Sequence, residues 1–133
     1  MYLIDTNIVS DAEKRVPAPT QWLSAADPAQ IYLSVVTVGE IARGIARIQN
    51  SAPQKAARLS AWFGELRRDN AERILPITEE IALAWGRLSA ARDRDSADAL
   101  IAATALVHDL IVVTRNVQDF EDTGVTILNP WDF

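Results

Sequence analysis

Cysteine is absent from the 133-residue chain and histidine occurs once, at His108. The first absence excludes a disulfide framework, a thiol nucleophile and thiolate ligation of a metal. The two together exclude a zinc or copper centre built on sulfur and imidazole. Glycine is scarce as well: the five in the chain form neither a GxGxxG nor a GxxxxGK[ST] phosphate loop, so a dehydrogenase lacks its fingerprint. Lysine stands only at 14 and 55, and the net charge is −5. Bulk attraction for phosphate therefore cannot hold a nucleic acid, and any such binding must be local. Long apolar runs are missing too. The stretch from Leu100 to Val107, interrupted by Thr104, ends at His108 and Asp109, far short of the roughly 20 residues of a spanning helix. The opening MYLIDTNIVSDAEKR has no basic leader before an apolar core, so no secretory signal and no membrane association are expected, and a cytoplasmic location is predicted.

What remains is ordinary globular material: 49% hydrophobic and 23% charged residues in a length that suits a single domain, taken as 1–133. Tyr2-Leu3-Ile4 is an apolar run stopped by Asp5-Thr6-Asn7, which predicts a buried strand feeding a helix and leaves Asp5 at the strand's carboxyl end. Pro17-Ala18-Pro19-Thr20 predicts a break, with a short helix over 21–26 and a second strand at Ile31–Ser34. Ile41, Ile45 and Ile48 fall at helical spacing within 37–48, as do Ala56, Leu59, Phe63 and Leu66 within 52–70, predicting a helical hairpin. A third strand is expected at 73–77, helices at 79–92 and 96–107, a fourth strand at 111–114, a turn or short helix at 116–120, and a fifth strand at 125–128. Strands alternating with helices predict an α/β fold with a mainly parallel sheet covered on both faces.

Three acids stand three residues after a capping residue: Glu40 after Thr37, Asp98 after Asp95, and Asp119 after Asn116. Each pair fits a capping box, in which the acid closes a helix start and nothing more. Location offers a second account. In a parallel sheet, helix starts gather near the strands' carboxyl ends, where open α/β sheets bind ligands. Asp5, Glu40, Asp98 and Asp119 can then converge, and like charges so placed call for a cation. Oxygen ligands alone select a hard divalent ion, Mg²⁺ or Mn²⁺, suited to phosphate ester hydrolysis, where it polarises the phosphoryl oxygen and activates a water. One ion or two fit equally.

The segments Asp5-Thr6-Asn7, the Glu40 helix, Asp98-Ala99-Leu100-Ile101-Ala102-Ala103-Thr104-Ala105, and Thr114-Arg115-Asn116 with Asp119-Phe120 resemble the PIN domain in order and spacing. The bare-domain length and the closing Asn129-Pro130-Trp131 resemble the VapC-type toxins of type II toxin-antitoxin pairs. The resemblance covers nearly the whole chain. It implies a PIN-like three-layer sandwich with about five strands, and a metal-dependent endoribonuclease whose catalytic and metal-binding residues are Asp5, Glu40, Asp98 and Asp119. Thr6, Asn7, Thr114 and Asn116 would then orient carboxylates or water, their bland role being capping or turn formation. Asp95 and Asp122, three residues from Asp98 and Asp119, compete for the same assignments.

The resemblance also implies an RNA substrate, a homodimer and a cognate antitoxin that lays a segment across an apolar groove. Trp62-Phe63 suits such a groove, or else the flanks of a broad buried stripe. Trp22, Trp85 and Trp131 read as packing residues and His108 as a weak cation at a helix end. Arg115 is left between substrate phosphate and the acids. The pairs Arg43 with Arg47, Arg67 with Arg68, and Arg92 with Arg94 read as solvated faces. Two other classes compete with this reading. A receiver-like phosphoacceptor wants neighbouring acids after the first strand and a lysine near the last, and the chain has neither. A non-catalytic binding partner with an idle acidic cluster has no sequence feature against it.

Overall fold

The computed structural model describes residues 1–133. Five strands, β1 (Tyr2–Ile4), β2 (Ile31–Ser34), β3 (Ile74–Leu75), β4 (Ile111–Val113) and β5 (Ile127–Leu128), form one sheet in the order β3-β2-β1-β4-β5. Every pairing is parallel. The helices are α1 (Thr6–Glu13), α2 (Pro17–Ala25), α3 (Val35–Ile48), α4 (Pro53–Asp69), α5 (Glu79–Ala91) and α6 (Ser96–His108). None of them is long and apolar enough to cross a membrane.

The pleat explains why the strands are apolar without alternation. Ile4 and Val113 point to one face, into a core of Ile8, Val9, Ile31, Leu33, Ile41 and Phe63. Leu3 and Val112, their neighbours, point to the other, into a core of Ile101, Ala102, Ala105, Leu110 and Phe120. A strand buried on both faces must be hydrophobic at consecutive positions. Phe120 is fully buried, and burial of a side chain that size contributes about 1.5–3 kcal/mol. Alanine dominates α6 for a related reason. Ala102 and Ala105 face the sheet while Ala103 meets Ile81 and Ala84 of α5, so small residues let α6 sit between two layers.

Several boundaries depart from the sequence expectations, β3 among them, with two residues rather than five. Pro17 to Thr20 does not break the chain but begins α2, because proline's missing N–H and fixed φ are compatible with the first helical turn. Helix α3 begins at Val35 under a Ser34 cap, whose hydroxyl accepts the Val36 N–H at 3.0 Å, so Thr37 lies inside the helix rather than capping it. Thr114 lies beyond β4, and β5 has two residues rather than four.

Sheet order positions everything that follows. From β1 the chain proceeds to β2 and β3 on one side, then crosses to β4 and β5 on the other. The carboxyl ends of β1 and β4 thus flank the point where the winding reverses, the place where open α/β sheets form a binding crevice. Asp5 follows β1 there and donates its backbone N–H to Val113 O at 2.9 Å.

Candidate active site

Asp5 is the most constrained of the acids. It caps α1, and its Oδ1 accepts the Thr6 N–H at 2.8 Å. Its Oδ2 accepts the Thr114 hydroxyl at 2.9 Å and the Asn7 amide at 3.1 Å. The residue is 4% exposed. Burial pushes its carboxyl above the ordinary range, against the hydrogen bonds from Thr114 and Thr6, and the charges of Glu40 and Asp119 push the same way as burial.

Asp98 sits in the first turn of α6, where Asp95 is the cap and accepts the backbone N–H groups of Ala97 and Asp98 at 2.9 and 3.3 Å. The Asp98 carboxyl is pushed up to about 7, first by burial and then by the charges of Asp5, Asp119, Asp95 and Glu40. All four of those charges carry one sign. Glu40, exposed on α3, accepts the Thr6 hydroxyl at 2.5 Å. Asp119 ends a single tight turn over Val117–Asp119 and lines a small polar recess with Asn116, Gln118 and Asn129.

The structure therefore brings Asp5 within electrostatic reach of Glu40 and Asp119, and Asp98 within reach of all three, at one end of the sheet. They are not closed into a finished cluster: no three acidic or imidazole side chains stand at ligand spacing. The donor set is all oxygen and all anionic, which fits a hard divalent cation. Holding one requires these carboxylates to draw together from the positions they occupy here.

Among the neighbours, Thr6, Asn7 and Thr114 touch the carboxylates directly. Asn116 acts through its backbone, donating its N–H to the Thr114 hydroxyl at 3.0 Å, and its side chain makes no cap bond. Thr37, read as a cap from sequence, is fully buried and lies 3.0 Å from the Thr6 hydroxyl, so it belongs to this network. No sequence signal distinguishes it from any other threonine near a helix start. Asp122 is engaged elsewhere. Arg94 and Arg92 hold it at 3.0 and 3.3 Å, and the Arg94 hydrogen bond lowers its pKa. Arg115 forms no ion pair with the acids; its guanidinium lies over the Trp131 ring, 4.9 Å from the centroid.

The profile of the PIN domain matches residues 2–125. The chain belongs to the PIN-domain family. It is 32% identical, over 139 residues covering 99% of both chains, to the VapC ribonuclease Y4jK of Sinorhizobium fredii. Its fold is similar to that in the crystal structure of FitAcB from Neisseria gonorrhoeae, with a TM-score of 0.83, 30% identity and full coverage of both chains. A toxin-antitoxin complex from Klebsiella pneumoniae contains a chain with a TM-score of 0.70 and 26% identity, covering 98% of each. The α/β PIN fold expected from sequence is thus the fold observed.

Proposed function

We propose that this PIN-domain chain is a metal-dependent endoribonuclease that serves as the toxin of a toxin-antitoxin pair. The observation that carries the reading is the gathering of Asp5, Glu40, Asp98 and Asp119 at the reversal point of the sheet, with Asp98 pushed up to about 7. Four uncompensated acids are a costly arrangement unless a cation completes it. The similarity to a protein named as a ribonuclease supports the same conclusion.

Mg²⁺ or Mn²⁺, when bound, would polarise a phosphoryl oxygen of RNA and activate a water for attack. The chain's own part is to hold the acids. Asp5 is fixed through Thr114 and Asn7, and Glu40 through Thr6, so two of the four carboxylates are oriented before any ligand arrives. Asp98, protonated in part near neutral pH, would lose its proton to solvent when a cation binds and so become a full anionic ligand. The N-terminal turn of α6 favours that ionised state through its partial positive charge.

The antitoxin is proposed as a partner on the strength of the similar toxin-antitoxin complex. A homodimer is proposed as well. Exposed Leu83 on α5 and Leu106 on α6 leave apolar surface on the α5/α6 layer that a second copy would cover. Incubation of the purified protein with a mixed RNA pool tests the enzymatic reading. Discrete products with Mn²⁺ or Mg²⁺, lost with chelator and restored by excess metal, are expected. Intact RNA in every lane, from folded protein free of any partner, would favour instead a binding protein with an idle acidic cluster.

A further inference from the structure

Beside the acids runs a groove of about 600 Å³ between the end of α1, helix α3 and helix α4. It begins at Thr6 and Glu40, and its walls carry Lys14, Arg15, Lys55 and Arg58. In a chain with net charge −5, both lysines of the sequence are on this one groove. Arg58 is committed to Glu13, 2.5 Å away, a bond that ties α4 to the end of α1. Lys14, Arg15 and Lys55 are exposed and form no ion pair.

Arg15 is set there against a backbone preference. Helix α1 ends in a Schellman turn, with the Val16 N–H donating to Asp11 O at 2.9 Å and the Arg15 N–H to Ala12 O at 3.0 Å. The turn requires a left-handed residue at its centre, and Arg15 occupies it at φ 61°. Glycine is the residue that takes this conformation without steric cost. A long cation held at such a position, on a groove leading to the site, points to work done by its side chain.

We propose that Lys14, Arg15 and Lys55 bind backbone phosphates of the RNA strand and carry it along this groove to the carboxylates at Glu40. The inference rests on the ribonuclease reading for the identity of its polyanion. Charge supplies the reason for the track. The acidic end of the sheet repels phosphate, so a strand must be held by cations immediately beside it, and a track of three supplies that locally while the rest of the surface stays acidic. Arg15 is a positioning residue in this scheme. It touches the strand away from the scissile bond.

The test is binding of a short labelled single-stranded RNA, measured in chelator so that no cleavage intervenes, across a range of salt. Wild type, Lys14→Gln, Arg15→Gly, Lys55→Gln and a control, Arg87→Gln on α5, are compared. Each groove variant is expected to weaken binding about tenfold at low salt and to reduce the slope of log K against log salt by about 0.7. The control is expected to leave both unchanged. Arg15→Gly should also melt about 2–5 °C higher, because glycine relieves the left-handed turn, which a merely structural arginine would not combine with lost binding. In cleavage assays the same variants should raise KM and spare kcat.

Wild-type affinity and slope in Arg15→Gly, an equal loss in Arg87→Gln, or no RNA binding by wild type at low salt would each overturn the track. So would groove variants that keep RNA but lose an acidic peptide, which would make the groove a peptide site. The two readings fail separately. Salt-dependent RNA binding through these residues without cleavage under any metal would sink the nuclease and leave the track. Cleavage unaffected by the groove variants would do the reverse.

Discussion

The Thr6 hydroxyl donates a hydrogen bond to Glu40 Oε1 at 2.5 Å, across 34 positions of sequence. The same hydroxyl lies 3.0 Å from that of buried Thr37. A short polar side chain in the first turn of α1 thereby fixes an acid on α3 that is otherwise exposed to solvent. Thr6→Val should keep the fold, since Thr6 is only partly buried, while lowering cleavage about 10- to 100-fold, the usual cost of losing a group that orients a metal ligand. Thr6→Ser should restore most of it. Steady-state cleavage of one RNA by the three proteins decides the matter, and a Thr6→Val enzyme as active as wild type would remove Thr6 from the machinery.

The bond from Thr114 to Asp5 is buried at both ends. Thr114→Val deletes a donor to a carboxylate that burial already destabilises, and should cost about 1–3 kcal/mol. A hydrogen bond to the ionised form holds a pKa down, so its loss should raise the Asp5 pKa further and move the acidic limb of the activity profile to higher pH. Denaturant titration and a pH profile on the same variant test both halves.

Asp98 predicts how the metal-free protein responds to pH. Its folded pKa of about 7 lies above the ordinary 3.8, so the folded state binds more protons than the unfolded state between these values. Its stabilising contribution is complete below about pH 4 and is lost as pH rises through 7. The group is half-exposed, so solvent screening trims the effect to on the order of 1 kcal/mol. In chelator, wild type should lose melting temperature between pH 5 and 8 by more than Asp98→Asn does, because the variant lacks this titration. With Mn²⁺ present the trend should reverse, and calorimetry in buffers of different ionisation enthalpy should show proton release on binding.

Asp95 separates the cap from the site. Asparagine caps a helix as well as aspartate, so Asp95→Asn should leave stability within about 0.5 kcal/mol while removing one of the charges that raises Asp98. The Asp98 pKa should fall, and cleavage should persist with its acidic limb at lower pH. Loss of all cleavage with retained fold would make Asp95 a ligand.

The strands were legible because Leu3-Ile4 and Val112-Val113 must serve two cores at once, which forces unbroken apolar runs. Position was legible too, since Asp5 follows directly on a strand end. Chemistry at the helix starts was not. Asp95 is a true cap, whereas Thr37 is not, and both read alike because each is a small polar residue three positions before an acid. The choice was made by Ser34, whose cap bond to Val36 starts α3 two residues before Thr37. Arg115 was likewise beyond sequence, because Trp131, the ring it covers, lies 16 positions further on (131 − 115), past β5.

The most direct test is cleavage of one RNA by wild type and by Asp98→Asn side by side, with Mn²⁺ and with chelator, after circular dichroism shows that both are folded. Discrete products from wild type with Mn²⁺, none in chelator, and at least a 100-fold lower rate from the variant are the predicted result, ~3 kcal/mol in transition-state terms. Cleavage by Asp98→Asn at the wild-type rate would contradict the account at its centre.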